Sequence, residues 1–273
     1  MIWVEKNQDY EAYRDLWNGN NLGYFDPAYQ LLVDAIKFFT DSFEYGFVVM
    51  SMLPILVLLC SIKRLGVNWF TTLLIIVSLI PAYGYGPVRQ ALANSILLLA
   101  FSVKRFSFLI EIVSILTHWT AGLPSALLMI THLKPNLKVL GLILSIGLLY
   151  LLGVDWLEAR LNIFFEPGSY ISWTSIIFKL AILAGLMHAK KNKVIKFYLI
   201  TKIALISSII INFMGFFGFG QNIVQRIGMS LDIFAIYALS VIFIYSSPFI
   251  KRFWVLALCI KSIVSFYALG VAQ

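Results

Sequence analysis

The chain has 273 residues, 60% of them hydrophobic and 12% charged, with a net charge of +8 and a mean hydropathy of +0.88. A soluble domain carries about twice that charged share, so lipid must be the main solvent and a polytopic, all-α membrane protein is expected. The basic residues fall in short clusters between apolar runs, as topology signals do, which argues against a nucleic-acid surface.

The opening MIWVEKNQDYEAYRDLWN lacks the basic start, apolar stretch and small-residue cleavage site of a signal peptide, so no cleaved leader is expected. Residues 1–43 form an acidic-aromatic segment in which Asp9, Glu11, Asp15, Asp26, Asp34 and Asp41 lie among Tyr and Trp. Within it, 27–39 is too short to span a membrane and carries Asp34 and Lys37; an interfacial or re-entrant helix fits, with Pro27 in its first turn. The transmembrane helical domain then runs over 44–273, with about eight full spans expected at 44–62, 68–84, 87–103, 138–153, 170–188, 195–217, 227–246 and 251–270. Helices are required because unpaired backbone groups are costly in hydrocarbon.

Lys and Arg cluster at Lys63 and Arg64, Lys104 and Arg105, Lys134 and Lys138, Lys190 to Lys196, and Lys251 and Arg252, which places these loops in the cytoplasm. The segment 106–132 therefore begins and ends on the same side and cannot be one ordinary span. His118, Gly122 and Pro124 interrupt it, leaving arms of about 15–18 Å, roughly half a membrane. A broken, re-entrant hairpin is expected, with His118 near a tip that lines a cavity. The same topology puts 1–43, 84–88, 154–169, 218–226 and the C-terminus outside, where 154–169 adds Asp155, Trp156, Glu158 and Glu166.

Three residues stand out as chemistry. Arg89 opens the 87–103 span after Gly84-Tyr85-Gly86-Pro87; it reads either as an interfacial anchor or as a phosphate ligand, because a guanidinium is always charged and offers a bidentate fork. Arg226 repeats the arrangement after Gly215, Gly218 and Gly220, with Gln221 and Asn222 just ahead, and outer arginines are disfavoured unless used. His118, followed by Trp119 and Thr120, sits at the hairpin tip, where an ionisable group should face a cavity and can donate to phosphate or move a proton. Glu111, Lys179, Asp232 and Lys261 also fall inside spans; Asp232 reads as a structural residue or counter-ion, and the partners of the others are not legible. Cys60 and Cys259 lie far apart in apolar runs and read as small buried hydrophobes. No HExxH, GxSxG or Walker motif occurs, so zinc hydrolase, serine hydrolase and ATPase readings lack support, and neither a metal nor a cofactor is expected.

The order Arg89-Gln90-Ala91-Leu92-Ala93, His118-Trp119-Thr120-Ala121-Gly122 and then Arg226 in a polar outer loop resembles the EpsG-like membrane proteins, which look like relatives of the Wzy-type polysaccharide polymerases. Asp9-Tyr10 with Tyr13 and Trp17 looks like the family's acidic-aromatic stretch, and Tyr24-Phe25-Asp26-Pro27-Ala28-Tyr29 like its next landmark, with Asp26 where Glu is usual. Members usually carry a membrane helix before that stretch and a Ser soon after the His; here Thr120 or Ser125 would replace the Ser, and a shortened N-terminus is expected.

The resemblance implies an exopolysaccharide, capsule or O-antigen polymerase in the bacterial cytoplasmic membrane. It would join oligosaccharide repeat units linked to undecaprenyl diphosphate at the outer face, with a chain-length regulator and a flippase as partners and no nucleic acid. Arg89 and Arg226 would take the donor and acceptor diphosphates and His118 would act as hydrogen-bond donor or base. Asp9, Tyr10, Tyr13, Asp26, Gln90 and Thr120 would contact substrate. A lipid-linked oligosaccharide flippase or other transporter, a membrane acyltransferase acting on the polysaccharide, and a purely structural subunit remain open alternatives.

Overall fold

The computed structural model describes residues 10–19, 26–85, 87–103, 107–132, 173–190, 195, 197–214 and 221–271. Among them are eleven α-helices and one 3-10 turn, and no strand. The helices are α1 Tyr10–Trp17, α2 Pro27–Lys37, α3 Phe43–Arg64, α4 Trp69–Tyr85, α5 Val88–Ser102, α6 Ser107–Thr117, α7 Gly122–His132, α8 Trp173–Lys190, α9 Tyr198–Met214, α10 Gln221–Tyr245 and α11 Pro248–Val271. The 3-10 turn, Trp119–Ala121, separates α6 from α7.

Seven of the eight predicted spans fall on α3, α4, α5, α8, α9, α10 and α11, and 138–153 lies outside the described residues. Among the described residues, Phe43–Arg64 and Arg226–Tyr245 are long and apolar enough to cross a membrane by length and composition, and the apolar stretches of α4, α5, α6, α8 and α9 are shorter. The number of full spans is therefore not fixed at eight. One boundary and one additional helix differ from expectation. Helix α10 begins at Gln221, so Arg226 sits inside its second turn and not at its start. Helix α1 was not expected at all; its signal is the spacing of Tyr10, Tyr13 and Trp17, which puts three rings on one face of a short amphipathic helix.

Local chemistry explains how α3 starts and stops. Ser42 caps its N-terminus by accepting from the Tyr45 N–H, and the chain leaves it through Gly66 at φ 95°, a conformation that favours glycine. Lys63 and Arg64 occupy its last turn, where cations complement the helix dipole. Helices α3, α4, α8, α9 and α11 present large apolar side chains outward, among them Leu56, Phe70, Ile177, Leu199 and Ile260. A water-facing surface would not carry so many, whereas lipid would accept them.

Two helices form the interior. Helix α5 is buried on nearly every side and packs against α3, α4, α6 and α10. Its Ala91, Ala93 and Ser95 are fully buried, and such small residues let neighbouring backbones approach. Ser61 and Ser114 use that proximity, donating to the Ser95 and Ala93 carbonyls at 3.2 and 2.7 Å. Helix α10 is buried from Leu231 to Phe243 except at Asp232 and packs on α5, α7, α8 and α9. The partners of Lys179 and Lys261, which the sequence concealed, are visible here. Lys179 of α8 lies 2.8 Å from the Asp232 carboxylate and donates to Ser208 at 2.6 Å, and Lys261 of α11 donates to the Ser78 carbonyl of α4 at 2.8 Å.

A second cluster anchors the N-terminal segment. Tyr10, Tyr13, Leu16 and Trp17 of α1 and Tyr29, Val33 and Ile36 of α2 bury against Phe43, Phe47 and Met50 of α3, with Tyr10 edge-on to both phenylalanines at 5.1 Å. Gly46 is essential to this packing, because a Cβ there would stand 2.4 Å from the Trp17 ring. At the far end of α2, Phe38 and Phe39 are each 84% exposed, as suits a helix lying at a membrane interface.

Two outcomes follow from this packing. Gly46→Ala should expel Trp17 and loosen α1, costing about 1–3 kcal/mol, seen as a lower unfolding temperature in detergent and faster proteolysis within residues 10–19. Lys179→Met should destabilise by about 3–5 kcal/mol by stranding Asp232, while Lys179→Met with Asp232→Leu should recover most of the loss; denaturation of the single and double variants checks this.

Candidate functional site

The first turn of α5 is where the N-terminal segment, the broken hairpin and α10 converge. The Arg89 main-chain N–H is one of the donors a helix start leaves without an intrahelical acceptor, and it donates to the Tyr13 hydroxyl at 3.2 Å. The Arg89 guanidinium also lies 6.0 Å from the centre of the Tyr13 ring. Its Nη1 is 3.2 Å from Asp26 Oδ2, and both side chains are largely buried, at 14% and 15% exposure.

Asp26 is the N-cap residue of α2, yet its side chain makes no capping bond. An N-cap Asp ordinarily accepts from its own helix, a contact worth about 1 kcal/mol. Here the carboxylate turns away. Oδ2 takes Arg89, and Oδ1 accepts the Trp119 main-chain N–H at 3.3 Å. One carboxylate thus ties α5 to the hairpin tip across 63 and 93 residues of sequence.

The interruption between α6 and α7 begins at His118. His118 is extended, at φ −160° and ψ 122°, and its buried side chain caps the 3-10 turn. Nδ1 lies 3.3 Å from the Thr120 N–H and 2.7 Å from Thr120 Oγ1. A main-chain N–H can only donate, so Nδ1 is the acceptor and the neutral ring carries its proton on Nε2. Trp119 stacks beside it, with ring centres 6.2 Å apart, and is 38% exposed. Each arm, α6 and α7, has 11 residues, about 16 Å of helix.

Behind this turn, α5 is stitched to α10. Gln90 is completely buried, and its Nε2 donates to the Arg226 carbonyl and to Ser230 Oγ. One turn further, Asn94 Nδ2 donates to the Met229 carbonyl at 2.8 Å. The 3-10 turn touches both α5 and α10. Arg226 therefore enters the site's framework through its main chain, and its side chain is partly exposed.

The structure brings together Tyr13, Asp26, Arg89, Gln90, His118, Thr120 and the backbone of Arg226. Tyr10 sits apart, in the aromatic cluster with the Arg14 guanidinium 5.3 Å over its ring, and Asp9 lies outside the described residues. Among the described residues no group of three or more His, Cys, Asp and Glu side chains is placed to hold a metal ion.

The family's sequence model matches residues 3–272, nearly the whole chain. The chain belongs to the EpsG family. The EpsG family is a membrane family related to polysaccharide polymerases. No curated protein and no solved structure gave a significant match.

Sequence reasoning missed the Trp119 amide, Asn94 and Ser230 in this EpsG-family chain. The amide is invisible to it, since every residue but proline has one. Asn94 leaves a trace: it lies four residues after Gln90 within a hydrophobic span, which marks a polar face that must find partners. Gln90→Leu keeps the volume and removes two interhelical bonds. It should lower stability by about 1–3 kcal/mol, measurable as a fall in the unfolding temperature of the detergent-solubilised protein.

Proposed function

We propose that this chain is a polysaccharide polymerase that joins oligosaccharide repeat units carried on undecaprenyl diphosphate, at the outer face of the bacterial cytoplasmic membrane. Membership of the EpsG family supports a glycosyltransferase-like polymerase. The observation that carries the reading is the meeting of Arg89, Asp26 and the His118-Trp119-Thr120 turn on a helix start bonded to α10 at Arg226.

In the reaction, an acceptor hydroxyl oxygen attacks the donor sugar's anomeric carbon. The bond from that carbon to the diphosphate oxygen breaks, the diphosphate leaves with the electron pair, and the hydroxyl proton passes to a base. Fixed cations and donors aimed at the departing oxygens stabilise such a transition state because they need no reorganisation. Arg89 and Arg226 supply that charge, one for each lipid diphosphate. The Nε2–H tautomer of His118 favours a donor role toward phosphate over a base role, since Nδ1 is already engaged by Thr120. The exposed ring of Trp119 gives a sugar a flat apolar face to lie on. A chain-length regulator and a flippase would complete the assembly.

Expression in a strain lacking its own polymerase, with extraction of lipid-linked glycans, tests this directly. Wild type should yield a ladder. Arg89→Ala, His118→Ala and Arg226→Ala, matched for membrane abundance, should collapse it to single repeat units, each slowing transfer about 10²-fold or more. Ladders that persist in all three variants overturn the site; a wild type that makes none overturns the polymerase.

A further inference from the structure

The Asp26 carboxylate is placed as a ligand would be. Its two oxygens accept from two separate elements, Oδ2 from the Arg89 guanidinium on α5 at 3.2 Å and Oδ1 from the Trp119 main-chain N–H on the turn between α6 and α7 at 3.3 Å. It does so while giving up the cap of its own helix. A charged fork and a backbone N–H converging on a single anion make a recognised geometry for phosphoryl oxygens, which bind the same donors more strongly than a carboxylate when they carry more charge.

We propose that Arg89 and the Trp119 N–H form one anion cradle for a phosphoryl group of the lipid-linked substrate, and that Asp26 is its resident occupant, displaced when the diphosphate binds. The proposal rests on the polymerase reading for the substrate's identity, but the cradle and its occupant are properties of the chain alone. Displacement also has a structural effect. With Asp26 released, its oxygen becomes available to the α2 first turn, and the hairpin tip is held by substrate in place of the N-terminal segment. Asp26 is thus a competitor that keeps the cradle shaped and neutral between turnovers.

The test is binding of farnesyl diphosphate, inorganic pyrophosphate and uncharged farnesol to the purified full chain in lipid nanodiscs. Asp26→Asn keeps the shape and the acceptor for Trp119 but removes the competing charge. It should bind farnesyl diphosphate on the order of 5-fold or more tightly than wild type, the low end of coupling between linked sites, with no change for farnesol. The gain should vanish in Asp26→Asn with Arg89→Ala, and Asp26→Ser should show the same gain should the asparagine variant not fold. A gain shared by pyrophosphate assigns the cradle to the diphosphate itself, and one confined to the farnesyl form assigns it to the lipid-linked species; either supports the proposal. Unchanged or weaker binding in the folded Asp26 variants overturns it, as does a gain that survives loss of Arg89 or extends to farnesol. Because no turnover is needed, a binding gain without any glycan ladder retains the cradle while rejecting the polymerase, and a ladder without the gain does the reverse.

Discussion

Burying a polar group in an apolar interior is costly unless it is bonded within the protein, and α5 makes such bonds to α3, α6 and α10. Its main-chain carbonyls accept from Ser61 of α3 through the Ser95 carbonyl and from Ser114 of α6 through the Ala93 carbonyl, while its Gln90 and Asn94 amides donate to α10. In water such bonds would exchange with solvent and contribute little; in a low-dielectric setting an unmade bond is costly and a made one fixes geometry. Small side chains at Ala91, Ala93 and Ser95 allow the helices close enough for these contacts. The position of Arg89 at the start of this helix is consequently set by bonds along its whole first half.

The hairpin tip is held by a related logic. A break between two helices exposes main-chain groups that need donors or acceptors. His118 and Thr120 provide them from within the turn, and Asp26 accepts the Trp119 N–H from outside it. The carboxylate that closes the break from outside is thus the one paired with Arg89. Under the proposed function, structural satisfaction and substrate contact share this carboxylate and this turn.

Much of this was readable from the chain. The hydrophobic runs located α3, α4, α5, α8, α9 and α11 to within a few residues, and the charge clusters alone implied that 106–132 could not be a single span. Arg89, His118 and Arg226 were visible because ionisable residues are rare in apolar sequence. What was not readable depended on three-dimensional pairing: Lys179 with Asp232, Lys261 with the Ser78 carbonyl, and Gln90 with α10. Helix α1 escaped notice because eight residues with charged neighbours carry a weak periodic signal, and its register becomes meaningful only against Phe43 and Phe47. The early start of α10 was hidden by Gln221 and Asn222, polar residues that read as loop but continue the helix.

The long sequence separations around Asp26 also impose an order on biosynthesis. Asp26 leaves the ribosome 93 residues ahead of Trp119, an interval of about 5–20 s at ordinary elongation rates. During that time α1 and α2 have Phe43 and Phe47 of the newly inserted α3 to settle on, but neither Arg89's helix nor the hairpin turn to bind. The acidic residues of this segment, Glu11, Asp15, Asp34 and Asp41, make its burial in hydrocarbon costly over that interval. The Gln90 bonds to Arg226 and Ser230 span 136 and 140 residues and close later still. The Gln90 contacts behind Arg89 are therefore among the last features of the molecule to form, and a chain released before α10 emerges would lack them.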